Sequence, residues 1–162
     1  MGKPAARVSD STAHGSPLAP GPGSANVFIG GMPAWRGIPA GAVSGLVSAQ
    51  TTADTSMKTA EAATLAAAGT PGAPAAKTAE ETLKANLAIS MASMMQGFAA
   101  TSDIHVCPVP VPIPPHGPGV VIDGSATVSI NGMPACMMGC TVLEGLGGPD
   151  KIASGCMTVQ IG

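Results

Sequence analysis

Charge is scarce in this chain. Only 10% of its 162 residues are Asp, Glu, Lys or Arg, and the formal net charge is −2. There is no basic run and no interleaving of basic with aromatic residues, which argues against nucleic acid as a partner. Aromatics are rarer still, with one Trp, two Phe and no Tyr. The usual large core-fillers are missing, so any core must be built from Val, Ile, Leu, Met and Ala. A small β unit built that way is marginal and calls for a staple, either a metal or a partner protein. No apolar run reaches the length of a membrane-spanning helix, and the N-terminus lacks the apolar stretch of a secretory signal. Histidine occurs only at His14, His105 and His116, and cysteine only at Cys107, Cys136, Cys140 and Cys156. Without a signal peptide, the thiols are expected to be free or metal-bound rather than paired. The chain has no G-x-S-x-G, no H-E-x-x-H and no phosphate-cradling glycine loop, so no enzymatic role is expected.

Glycine and proline are plentiful, with 22 and 16 residues. Disorder would require low hydrophobicity and high charge, yet 45% of the chain is hydrophobic. That balance fits short strands joined by many turns. An internal repeat supports this reading. GSANVFIGGMPAWR (residues 23–36) returns as GSATVSINGMPACM (124–137), and GCMTVQIG (155–162) is a partial third copy. Val27 and Ile29, Val128 and Ile130, and Val159 and Ile161 each alternate with one intervening residue, the period of a half-buried strand. Gly30-Gly31 and Asn131-Gly132 are two-residue hairpin signals, and Met32-Pro33-Ala34 and Met133-Pro134-Ala135 start the return strands. Three related units predict a mainly β, pseudo-threefold fold.

Between the copies, residues 38–101 are rich in Ala, Ser, Thr and Met. The spacing predicts a helix over about 54–68, which could begin near Gly41 and stops at Gly69. GTPGAPAAK reads as a turn. Thr78-Ala79-Glu80-Glu81 reads as a capping box opening a second helix over about 79–99. The chain thus divides into 1–37, a helical hairpin insertion at 38–101, and 102–162. Leu83, Leu87, Met91, Met94 and Met95 form a stripe at helical spacing. It serves either helix packing or, through Met91, Met94 and Met95, an adaptable docking surface for a partner.

The segment SDIHVCPVPVPIPPHG (102–117) places His105 and Cys107 two apart, on one face of a strand. The prolines favour an extended run, and a turn begun by Pro114-Pro115 brings His116 back. With His14 this makes three imidazoles and one thiolate, a sufficient closed set for structural zinc. Cys140 is a competing thiolate and Glu144 a possible oxygen ligand. Ser9-Asp10 to His14 and Ser102-Asp103 to Cys107 share one four-residue step.

These motifs resemble the PAAR-repeat family. Pro4-Ala5-Ala6-Arg7 is the signature itself, AARVSDSTAH is similar to its N-terminal prePAAR segment, and TSDIHVCP…PPHGPGVVIDGSATVSINGMPA looks like its main body. The closing GPDKIASGCMTVQIG resembles its last strand pair, so the likeness covers residues 1–36 and 102–162. The resemblance implies a small β-cone that caps the trimeric VgrG-like spike of a bacterial type VI secretion system. It implies Zn2+ held by His14, His105, Cys107 and His116, a chaperone on the helical segment, and effector cargo. It also implies synthesis in the cytoplasm and export at the tip of the apparatus, with membrane contact only during puncture. Two features depart from the family pattern. Met137-Met138-Gly139-Cys140 stands where Arg-x-Gly-Asp is usual, and the chain stops at Gly162, leaving no room for the toxin domain many members carry. A membrane-active effector whose insertion enters the target bilayer is the alternative reading.

Overall fold

The computed structural model describes residues 2–110 and 115–162. Ten short strands and two long helices follow in the order β1 (Lys3–Ala5), β2 (Phe28–Ile29), β3 (Met32–Pro33), α1 (Ala40–Ala67), α2 (Ala73–Gln96), β4 (Ile104–Pro110), β5 (Pro115–Val121), β6 (Ser129–Ile130), β7 (Met133–Pro134), β8 (Thr141–Glu144), β9 (Pro149–Lys151) and β10 (Cys156–Ile161). The helices hold 28 and 24 residues, about as much of the chain as strands and bridges together. The fold is therefore mixed α and β, with several small antiparallel sheets, and the expectation of a mainly β chain holds only outside the insertion. Pro114 of the expected turn lies outside the described residues.

The repeats become three matching hairpins. Ile29 pairs with Met32 and Phe28 with Pro33; Ile130 pairs with Met133 and Ser129 with Pro134. The turn residues Gly30, Gly31, Asn131 and Gly132 all have positive φ (55°, 81°, 54° and 79°), the primed turn that matches strand twist. The third hairpin has the same register but is assembled from distant segments: Ile161 pairs with Lys3 and Gln160 with Pro4. Lys3-Pro4-Ala5 thus stands where Met32-Pro33-Ala34 and Met133-Pro134-Ala135 stand. Ile29, Ile130 and Ile161 meet in one buried cluster with Ala5, Ala34 and Ala135.

Just beyond the hairpins, the three arms tie to one another through the backbone. Ala6 N donates to Cys136 O (2.9 Å), Cys136 N to Trp35 O (3.1 Å) and Trp35 N to Ala6 O (3.0 Å), which closes a ring. A second ring runs Val8 N to Pro33 O (2.9 Å), Gly37 N to Pro134 O (2.9 Å) and Met138 N to Pro4 O (2.8 Å). Such mutual pairing leaves no arm with open backbone groups at the centre. Ala6, Trp35 and Cys136 enter a second core cluster with Leu18, Val121, Cys140, Val142 and Ile152.

Each arm then makes the same tight turn. Asp10 N donates to Arg7 O (3.2 Å), Asp103 N to Arg36 O (3.1 Å) and Cys140 N to Met137 O (3.1 Å). In two arms a carboxylate and a guanidinium seal the turn, Arg7 with Asp10 and Arg36 with buried Asp103, each through two side-chain hydrogen bonds of 3.0–3.1 Å. In the third, Met137 and Cys140 replace both members of the pair. The replacement is therefore concerted, and no lone buried charge is left behind. The whole helical insertion is spliced into the second turn, which closes across it.

The first helix starts at the early bound near Gly41, and the second starts earlier than the sequence pattern predicts. α1 begins at Ala40, and α2 at Ala73 rather than near 79, because Pro74 occupies the first turn, where its missing N–H costs nothing. Thr78 is no cap; its hydroxyl donates back to Pro74 O at 3.0 Å. Gly69, at φ 76°, lies in the turn that ends α1. Ile38, Leu46, Met91 and Met95 pack on Ile104, Val120 and Leu143 of the four-stranded sheet β4-β5-β8-β9. Of the methionine stripe, Met91 and Met95 are buried in that contact, while Met94 is exposed. Further out, the nearly buried Lys84 bridges Glu61 (2.6 Å) and Glu80 (2.7 Å) and, with Thr64 and Lys77, holds the Glu80 carboxyl down to about 2. No helix among the described residues is long and apolar enough to cross a membrane.

Joining Gly37 to Ser102 would restore an uninterrupted Arg-Gly-Ser-Asp turn beside Arg-Val-Ser-Asp at 7–10. The excised chain is expected to lose its helical circular-dichroism signal but keep its β signal. It should melt at a lower temperature, because Ile104, Val120 and Leu143 lose their apolar cover. A chain that is unfolded by circular dichroism would contradict this.

Candidate metal centre

Beyond the tight turns the arms deliver their side chains to one spot. In β4, His105 and Cys107 are buried while Val106 between them is exposed, the expected two-residue alternation. Their partners across β5 are Gly119 and Gly117, which place no side chain beside the inward groups. A Cβ on Gly119 would come within 2.9 Å of Val142 Cγ1 and 3.2 Å of Glu144 Cγ, so glycine there makes room for Glu144. Glu144, the last residue of β8, is fully buried. His116 comes from β5.

His14 arrives from the N-terminal segment, which is tied down along its length. Ser11 N donates to Ser154 Oγ (2.7 Å), Ala13 N to Lys151 O (2.8 Å) and His14 N to Asp150 Oδ1 (3.2 Å). The Arg7–Asp10 pair fixes the turn before it. The N-terminal segment thus lies against the last strands of the chain.

At the centre, His14 Nδ1 lies 3.6 Å from Cys107 Sγ and 3.3 Å from Glu144 Oε1. His116 Nδ1 hydrogen-bonds Glu144 Oε2, and the His14 and His116 rings meet edge to face with centroids 4.9 Å apart. The ligand atoms of His14, Cys107, His116 and Glu144 all lie within 4.8 Å of one another. Bonds of 2.0–2.3 Å around a tetrahedral ion put donor atoms about 3.3–3.8 Å apart, which the His14–Cys107 and His14–Glu144 spacings match, while hydrogen-bonded His116 and Glu144 would part to share an ion. His105 Nδ1 sits 2.8 Å from Pro17 O, which orients the ring. Its Nε2 is buried without a hydrogen-bond partner and faces Glu144 Oε1 at 3.7 Å. A ligating histidine has the same arrangement, one nitrogen on a backbone carbonyl and the other free for the ion. Buried His, Cys and Glu groups are thus close enough to hold a metal ion.

Of the four predicted donors, His14, Cys107 and His116 are gathered with Glu144, while His105 groups with Glu144 and Asp150 beside them. Cys140 lies elsewhere; it packs in the core with Trp35, and its thiol donates to Asp123 O at 3.3 Å. All four cysteines are unpaired. The residue undervalued by sequence is Glu144. Its signal is the four-residue step already shared by Asp10–His14 and Asp103–Cys107, which recurs as Cys140–Glu144 but is masked by the missing acid. Asp150, which positions His14, has no such signature.

The electrostatics favour a cation. Burial drives the Glu144 carboxyl up, but hydrogen bonds with His105, His116 and Cys107 outweigh it and leave it below its ordinary value. Burial pushes the Cys107 thiol up, and neighbouring Glu144 adds to the rise. The metal-free thiol is therefore protonated at neutral pH, and an ion that needs the thiolate must displace that proton. Apparent metal affinity should rise with pH, by about tenfold per unit for one displaced proton, until the thiol itself ionises. Chelator-competition titrations at several pH values check this, and a pH-independent affinity would contradict it. Comparisons with known proteins found no matching family model, no matching curated protein and no matching solved structure.

Proposed function

We propose that this chain is a PAAR-like β-cone: a zinc-stabilised tip that caps and sharpens the trimeric VgrG-like spike of a type VI secretion system. The observation that carries this reading is the closed three-arm backbone ring, with hairpins on one side along each arm and metal donors on the other. A threefold unit is what can continue a threefold spike without leaving open strand edges. The hairpin side offers apolar contact through the exposed Phe28, Val128, Met157 and Val159.

The donor side converges on polar groups rather than an apolar core. His14, His105, Cys107 and His116 would hold Zn2+ there, an ion that supplies a cross-link between the N-terminal segment and the β4–β5 pair. In a unit this small, metal binding is folding free energy, on the order of 10 kcal/mol in zinc-finger peptides. The role is mechanical: the tip resists deformation while the apparatus is driven through a membrane. Exposed Leu65, Ile89 and Met94 make the helical hairpin the place for a chaperone before export, and effector cargo would ride on the same tip.

Mixing the full chain with the purified trimeric spike protein encoded with it tests the assignment. Native mass spectrometry is expected to give one chain per spike trimer. Three chains per trimer, or no complex, would contradict the cap.

A further inference from the structure

We infer that Glu144 is a direct ligand of the metal, an oxygen donor added to His14, His105, Cys107 and His116. The inference rests on the metal reading of the site given above and departs from a purely nitrogen-and-sulfur set.

Three observations carry it. First, the arms are equivalent, and their donors occupy equivalent places. His14 follows Asp10 by four residues, Cys107 follows Asp103 by four and Glu144 follows Cys140 by four, each after the same backbone turn. Two arms place a metal-ligating type at that position, and Glu144 is what the third arm places there.

Second, Glu144 is fully buried, yet no Lys or Arg side chain pairs with it among the described residues. Its nearest titratable partners are three imidazoles: His14 Nδ1 at 3.2 Å, His105 Nε2 at 3.7 Å and hydrogen-bonded His116 Nδ1. A buried carboxylate needs a compensating charge. Three neutral imidazoles and one thiolate leave a divalent ion with one uncompensated positive charge. Glu144 cancels it, and the closed site becomes neutral.

Third, Gly119 keeps the space through which the Glu144 side chain reaches inward. Asp150, the other buried acid nearby, lies close to His105 and Glu144 and has Oδ2 3.4 Å from His14 Nδ1, but its Oδ1 is held by the backbone amides of His14 (3.2 Å) and Lys151 (2.6 Å), and no arm's four-residue step points to it; it serves as a positioning residue for His14.

Two measurements on the full chain decide the matter, with Co(II) and Zn(II) as probes. Wild type is expected to bind one Co(II) with a thiolate charge-transfer band. Glu144→Gln should keep that band but change the d–d bands and bind about ten- to a hundredfold more weakly, with partial recovery in Glu144→Asp. X-ray absorption of the zinc-loaded wild type should count one sulfur and four nitrogen or oxygen neighbours, whether or not the variants fold. One sulfur and three light neighbours in wild type and in Glu144→Gln alike, or an unchanged Co(II) spectrum and affinity in Glu144→Gln, would overturn the ligand role while leaving the metal centre standing. Folded wild type that takes up no Co(II) would instead overturn the metal centre itself, and the ligand role with it.

Discussion

Ala6, Trp35 and Cys136 each donate one backbone hydrogen bond to the next and accept one from the last. The rest of the architecture depends on this ring. It fixes three arms at a common level, so that three hairpins project from one side and three tight turns from the other. It also forces the earliest residues of the sequence to pack between the Trp35 segment and the Cys136 segment, the latter more than a hundred residues later. Ordering such distant segments is entropically costly, and few large side chains are available to offset it. Trp35, the only tryptophan, is placed at the ring itself, fully buried.

The donor side follows from that arrangement. Once the arms are level, the same four-residue step on each brings one polar side chain to a shared point, and β5 adds His116. The result is a mostly buried pocket of imidazole, thiol and carboxylate. Left empty, it buries a carboxylate against histidines and keeps Cys107 protonated. A cation resolves both at once. The helical hairpin is incidental to this geometry in one respect, since its ends meet at an ordinary turn. In another respect it matters, because Met91 and Met95 cover the outer face of the sheet that carries His105, Cys107 and Glu144.

Much of this was legible in the sequence. The hairpin turns at Gly30-Gly31 and Asn131-Gly132 are dictated by residues that tolerate positive φ, and the alternation of His105 and Cys107 by strand geometry. Other parts were not. The third hairpin is hidden because its strands, at Lys3–Ala5 and Cys156–Ile161, are far apart in sequence and Lys3 replaces methionine. The start of α2 was misread because Pro74 looks like a turn residue yet fits a first helical turn, and the sequence leaves the early start of α1 open because the threonines inside it are poor helix formers until their hydroxyls are satisfied on carbonyls four residues back. Glu144 was undervalued because Cys140 and Met137 jointly erase the Arg–Asp pair that marks the other two arms.

The most direct test of the account is metal analysis of the purified full chain, combined with thermal melting before and after chelation. The account predicts about one zinc per chain and a melting temperature that falls by at least about 10 °C when the metal is stripped. Added zinc should restore it. A well-folded chain that contains no metal, and whose melting is indifferent to chelator and zinc alike, would contradict it.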